Sequence, residues 1–442
     1  MPNRFWPPRD HFRHRRAVLD LLQNAANRYG DVVGVPFFHR KAVLVSHPNF
    51  VGHVLQHNRG NYTRGRASHW LRKFWGEGVV LSDGEAWLQQ RRLIGPAFQS
   101  KRIDSFACWM LKETQETFRR WDHVAETGKP VDLTKDVWSL TLRILLRTLF
   151  GGRDGDSIGE IEPLVNTLLS HSNDQMSGVI PPPYCLLTPR SLIKRFGGRS
   201  SLVRLLTEMI QSRCRTREDH GDILSSLVLA KEEGSGASMD TKWILDQVMS
   251  LLLAGRESTA TSLVWACYLL AKHPDVQDRL RTEVAETLGN QAPAAEDLGR
   301  LRYVKAVVEE TLRLYPPAYK FTRQAKEADV IGGFDISAGS VIVLSPWVTH
   351  RHSHIWSAPE TFNPDRFLES EVNDLPRFSY FPFGAGPRLC AGRSLALMEL
   401  HLVLALVMQR YRLKLATRSD IIPKAGLTLQ PASDVLVTLH RD

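Results

Sequence analysis

The longest uninterrupted apolar pattern in the chain begins after Asp240, a residue type suited to an N-cap, and stops at His273-Pro274. No proline intervenes, so the stretch predicts a helix of roughly 48 Å. It is apolar on most faces through Ile244, Leu245, Val248, Leu252, Leu253, Leu263 and Leu270, which implies burial. A second helical stripe, Leu395, Met398, Leu402, Val403 and Leu406, follows a glycine-rich stretch near the C-terminus. From about residue 85 to 325 the pattern is helical almost throughout, broken at Pro181-Pro182-Pro183. Strand signals are confined to two regions. Val32–Pro36 and Ala42–Ser46 flank a turn and read as a hairpin, and Asp329–Ile331, Phe334–Ile336 and Val341–Leu344 read as strands punctuated by Gly332-Gly333 and Ala338-Gly339. The expected class is mainly α with small β-sheets.

Composition narrows the possibilities. At 442 residues the length alone suggests two or three domains, yet no low-complexity linker or fixed repeat divides the chain. The run Glu233–Ser238 is a loop rather than a joint. A single domain over 1–442, with a basic arm at 1–16, is expected. The arm carries Arg4, Arg9, Arg13, Arg15 and Arg16 and reads as solvated. There is no apolar run long enough to span a membrane and no signal-peptide core. The five cysteines, Cys108, Cys185, Cys214, Cys267 and Cys390, are scattered without zinc spacing, as in a reducing, cytoplasmic compartment. The net charge of +10 fits electrostatic steering toward an acidic protein partner, since no dense basic and aromatic cluster points to nucleic acid.

Two places carry candidate chemistry. Phe383-Gly384-Ala385-Gly386-Pro387-Arg388-Leu389-Cys390-Ala391-Gly392 puts one cysteine at the end of a glycine-rich loop, just before the second helix. A lone cysteine is often no more than a small buried apolar residue. At a helix N-terminus, however, the dipole and unpaired N–H groups favour a thiolate, the form that ligates heme iron. The long helix carries Ala254-Gly255-Arg256-Glu257-Ser258-Thr259 at its centre. Such a cluster is costly in a buried helix unless it is paired or used.

Taken together, Phe-x-x-Gly-x-Arg-x-Cys-x-Gly and the 254–259 segment resemble the heme loop and oxygen-activation motif of the cytochrome P450 family, of the soluble bacterial type. The resemblance implies that family's fold, with heme b (iron protoporphyrin IX) between the long central helix and the cysteine-loop helix. Cys390 is the implied metal ligand; Phe383, Gly392 and Ala254 border the heme. Glu257, Ser258 and Thr259 are implied in proton delivery. Serine stands at 258 where the family has threonine, and Ser258 is favoured over Thr259 as the hydroxyl facing oxygen. Glu310-Thr311-Leu312-Arg313 resembles the family's Glu-x-x-Arg, with Arg366 of Asn363-Pro364-Asp365-Arg366 as its third member; these three are expected to be structural. Trp87, Arg91, Arg323 and Arg388 match propionate-binding positions, with Arg92 the neighbour most easily confused with Arg91. His350, His352 and His354 form a conceivable metal cluster, disfavoured against Cys390. Leu253, Ala254, Ala318, Tyr319 and Phe321, with residues from about 64 to 80, are expected to line the substrate pocket.

The implied activity is monooxygenation: one atom of dioxygen enters a hydrophobic small molecule such as a terpenoid or fatty acid. Electrons would come from a separate ferredoxin or flavodoxin with its reductase, docking near Arg393, and the protein would act as a monomer. Retention of Glu257 and Ser258 argues against a peroxide-driven or isomerising heme-thiolate enzyme. Retention of Cys390 with the 254–259 cluster argues against a non-catalytic heme-binding protein.

Overall fold

The computed structural model describes residues 17–37, 40–65, 72, 75–151, 159–168, 189–231, 236–368, 374–417 and 419–441. The basic arm, the proline run, Cys185 and most of residues 66–74 lie outside the described residues. The longer helices are α1 (Ala17–Tyr29), α2 (Gly84–Ile94), α3 (Ala107–Thr127), α4 (Leu133–Phe150), α5 (Pro189–Thr216), α6 (Ile223–Leu229), α7 (Thr241–Lys272), α8 (Pro274–Leu288), α9 (Arg302–Leu314) and α10 (Arg393–Arg410).

The strongest sequence expectation concerned α7, which runs from Thr241 to Lys272. Asp240 caps it, its carboxylate accepting from the Trp243 N–H at 2.6 Å. An N-cap of this kind satisfies one of the donors a helix start leaves unpaired. Pro274 then opens α8, where its missing N–H costs nothing. The helix is buried along most of its length and touches α4, α5, α9 and α10. A large core gathers around it, including Trp265, Leu252, Ile144, Val304 and Leu404.

The principal sheet has the strand order β1-β2-β8-β5-β3. Its strands are β1 (Val32–Phe37), β2 (Arg40–Val45), β3 (Tyr62–Thr63), β5 (Phe321–Ala325) and β8 (Val341–Leu344). β1 and β2 form the expected hairpin, with Val33 opposite Leu44. β8 lies parallel to β2, and β5 runs antiparallel to β8 with Arg323 opposite Ile342. Side chains alternate between faces along a strand. Val33, Val35, Leu44 and Val343 therefore pack with Leu19 and Leu22 of α1, while Val32, Val45, Ile342 and Leu344 pack with Val51, Leu55 and Phe381. A sheet covered on both faces holds β5, and with it Arg323, at a fixed height.

The smaller sheets pair β6 (Asp329–Ile331) with β7 (Phe334–Ile336), and β4 (Val131–Asp132) with β12 (Leu436–His440) and β9 (Arg412–Leu415). A two-stranded sheet joins β10 (Pro423–Ala425) to β11 (Leu429–Pro431). The three later strands expected from the sequence coincide with β6, β7 and β8. Gly332 and Gly333, with φ of 58° and 81°, supply the left-handed turn between β6 and β7. β3, β4 and β9 to β12 were not expected. Among the described residues no helix is long and apolar enough to cross a membrane.

Candidate active site

One apolar-walled cavity of about 400 Å³ brings the chemistry-bearing residues together. On α7 its border is Leu251, Ala254, Gly255, Ser258, Thr259 and Ser262. That spacing is one stripe of a helix turning about 100° per residue. On α10 the border is Leu395, Ala396, Glu399 and Leu400, and between the two helices lies the loop from Pro382 to Gly392.

The loop is fixed from inside. The Cys390 N–H donates to the Phe383 carbonyl at 3.1 Å, and the Gly384 N–H donates to Phe381 at 2.9 Å. Gly386 has a φ of 69°, and a Cβ there would stand 2.0 Å from the Leu55 carbonyl oxygen. Only glycine serves at that position. Cys390 is exposed and opens onto the cavity. Burial pushes its thiol up, against the downward pull of the Gly392 N–H and of Arg91 and Arg393. A bound cation would favour the thiolate, since a coordinating thiol is deprotonated outright.

Arg64, Arg91, Arg323 and Arg388 all border the cavity, as does Trp87. The Arg388 guanidinium lies 4.3 Å from the centre of the Trp87 ring and pairs with Asp83. Burial, then the charges of Arg388 and Arg323, push Arg64 down to about 9. Burial and Arg388 likewise push Arg323 down to about 10. Asp83 is the carboxylate that acts on all three. A half-buried cluster of cations against one carboxylate calls for further anions. Heme carries two propionates, a flat apolar ring and an iron that takes a thiolate; the cations, the apolar lining and Cys390 would hold each of these. Arg64 falls in the 64–80 segment expected at the pocket, but it was not among the expected propionate-side cations. Arg92 does not border the cavity.

The centre of α7 divides in two. The Ser258 hydroxyl donates to the Ala254 carbonyl at 2.8 Å, and the Thr259 hydroxyl to Gly255 at 3.4 Å. Both residues border the cavity. Glu257 does not: it is fully buried about 60° beyond the edge of the stripe, and Thr428 donates to its carboxylate at 3.5 Å. Arg256 is also off the stripe, 4.8 Å from the centre of the Trp138 ring. Gly255 has a second task, since a Cβ there would meet the Leu145 side chain at 2.8 Å. Its smallness lets α4 approach as well as opening the cavity.

Of the expected pocket residues, Ala254, Ala318 and Phe321 border the cavity, and Leu253 and Tyr319 do not. Leu253 sits about 200° around the helix from Leu251 and packs into the core. Tyr319 turns into the core under the principal sheet, its hydroxyl donating to the Gly426 carbonyl at 3.2 Å. From the 64–80 segment, Arg64, Val79 and Val80 reach the cavity.

Behind the loop, Glu310 is fully buried and accepts from Arg313 at 2.6 and 2.9 Å and from Arg366 at 3.2 Å. Two of the three histidines have other work. Nε2 of His350 accepts from the Phe381 N–H at 3.0 Å while Nδ1 lies 3.2 Å from the Arg313 carbonyl. His352 bonds Asp31. Among the described residues no three His, Cys, Asp or Glu side chains are grouped to hold a metal.

A cysteine loop facing the polar stripe of a long central helix, in a helical body with small sheets, defines a heme-thiolate protein. The Cytochrome P450 family model matches residues 10–438, and the chain belongs to that family. It is a monooxygenase with a heme-iron cofactor. It is 33% identical to cyclooctatin synthase of Streptomyces melanosporofaciens, over 91% of this chain and 87% of the relative. Cyclooctat-9-en-7-ol 5-monooxygenase of the same organism is 32% identical over 87% of this chain and 83% of its own. Pentalenene oxygenase of Streptomyces avermitilis is 29% identical, over 92% and 90%. The crystal structure of the cytochrome P450DA heme domain superposes with a TM-score of 0.90 at 25% identity, covering 100% of this chain and 97% of that one.

Proposed function

We propose that this chain hydroxylates a terpenoid-type hydrocarbon skeleton with one atom of dioxygen, using heme b held by Cys390. The observation that carries the reading is the placement of the Ser258 and Thr259 hydroxyls on the same cavity as the Cys390 thiol, with Val79, Val80, Leu149, Leu251 and Phe321 among its apolar lining. Bound heme supplies the oxygen chemistry, with the thiolate favouring O–O cleavage. The chain's own residues do the rest. Arg64, Arg91, Arg323 and Arg388, with Trp87, would hold the propionates, and Phe383 and Gly392 would abut the ring. Val79, Val80, Leu149, Leu251 and Phe321 would enclose the substrate by exclusion of water, a task for which area and shape matter more than any polar contact. The bacterial relatives that oxidise terpenoids favour that substrate class. Arg393, exposed at the start of α10, is a candidate contact for a ferredoxin or flavodoxin. A terpenoid library screened for displacement of the heme Soret band tests the substrate class; response to fatty acids alone would overturn it.

Ser258 is assigned the hydroxyl that manages protons, because its side chain is the less buried of the pair. Serine lacks the methyl that fixes a threonine rotamer and can turn from the Ala254 carbonyl into the cavity. Ser258→Ala should lower product formed per electron pair consumed by about tenfold or more, general acid–base groups contributing roughly 10²–10⁴-fold. Thr259→Val should lose less. The larger loss in Thr259→Val would reverse the assignment.

A further inference from the structure

The cations at the cavity edge are tied together by one carboxylate, Asp83, which stands directly before α2. Its Oδ1 accepts from the Arg388 guanidinium and from the Gly84 N–H at 3.1 Å. Its Oδ2 accepts from the Arg64 N–H at 2.9 Å. Arg388 also donates to the Ser82 carbonyl at 3.2 Å, which with Asp83 fixes the guanidinium over the Trp87 ring. Asp83 thus joins the cysteine loop to the start of the helix that carries Trp87 and Arg91. An uncharged residue would serve that helix, since asparagine or serine caps a helix start about as well as aspartate. An anion beside guanidiniums that would take propionates also competes with the propionates for the same donors. A charge kept in such a place has an electrostatic task. We propose that Asp83 is a positioning residue that sets the reduction potential of the heme iron: it holds Arg388 on Trp87 and offsets the surrounding cations, making the iron harder to reduce. The proposal rests on the reading of Arg64, Arg91, Arg323 and Arg388 as the propionate side of the site.

The sign follows from the charges. Reduction adds one negative charge to the iron site. Nearby guanidiniums favour that charge, and a nearby carboxylate opposes it. Burial pushes Arg64, Arg323 and Arg388 down, and Asp83 pulls each of them back up, so its field reaches all three. The Asp83 side chain is 27% exposed and that of Arg388 18%, so salt screens the pair only in part. Arg72, a further cation acting on Arg64 and Arg388, donates to the Leu81 carbonyl at 2.9 Å.

The test is a spectroelectrochemical titration of the purified holoenzyme, wild type against Asp83→Asn, which keeps the cap and the acceptor for the Arg64 N–H. The midpoint potential should rise in the variant by about 59 mV, a tenfold change in a one-electron equilibrium. The reduced, carbon monoxide-bound spectrum should not move. Heme should pass to apomyoglobin several-fold more slowly, because the guanidiniums have lost a competing anion. Asp83→Ser, a second uncharged cap, should match Asp83→Asn, and Asp83→Glu, which keeps the charge, should stay near the wild-type potential. An unchanged or lower potential in both uncharged variants, or loss of heme from both, overturns the proposal. So does a potential in Asp83→Glu shifted as far as theirs, since the role would then be one of shape. Arg388→Gln tests the reading beneath: heme transfer no faster than from the wild type would mean that this guanidinium holds no propionate, and the proposal falls with it.

Discussion

Replacing Cys390 with serine is expected to abolish oxygenation and to remove the strongly red-displaced absorption of the reduced, carbon monoxide-bound protein, while the fold survives. The loop does not depend on sulfur. It is held by the Cys390 N–H on the Phe383 carbonyl, by Gly386 against Leu55 and by Arg388 on Asp83, all of which serine leaves in place. What changes is the donor atom presented to the cavity. A hydroxyl is a far weaker electron donor than a thiolate, and the push toward O–O cleavage goes with it. A loss of more than a thousandfold in turnover corresponds to about 4 kcal/mol of barrier. Circular dichroism should match the wild type, and the carbon monoxide spectrum should shift to the blue. An unaltered spectrum in the variant would mean that another residue ligates the iron.

The parts of this molecule that could be read in advance are those where one local signal settles one structural choice. Asp240 and Pro274 delimit α7 because a cap and a missing N–H act within a single turn. Gly332-Gly333 marks the turn between β6 and β7 for the same reason. β10 and β11 escaped notice because Pro423 opens the one and Pro431 closes the other. Proline in a strand normally speaks against pairing and is tolerated here in a sheet of two strands, each of which is an edge. Side-chain direction was the harder matter. Leu253 and Glu257 belong to the right segment of α7 but to the wrong faces, and one residue of displacement turns a helix by about 100°. Phasing the stripe on Ala254 and Ser258 would have excluded Leu253 and admitted Leu251 and Ser262. Glu399, which borders the cavity, had a signal too, as an acidic residue between Met398 and Leu400 inside an apolar run.

Glu310→Ala should leave a chain that retains little heme and unfolds at much lower denaturant. The Glu310 carboxylate binds both Arg313 and Arg366 and also accepts from the Asn363 N–H at 2.9 Å. Its removal strands two buried guanidiniums at a cost of about 3–5 kcal/mol. That is a large fraction of the roughly 5–15 kcal/mol that holds a domain folded. The damage has a direct line to the cysteine loop. Arg313 donates to the His350 carbonyl at 2.8 Å, His350 accepts from the Phe381 N–H, and Phe381 holds the turn at Gly384 from which the loop departs. Glu310→Gln separates charge from shape: it can accept from Arg313 and Arg366 but leaves their charges unbalanced, so its heme content and urea midpoint should fall between those of the wild type and Glu310→Ala. Full heme content in Glu310→Ala would show that the loop is set by its own glycines and backbone bonds, with the ion pairs behind it contributing only to global stability.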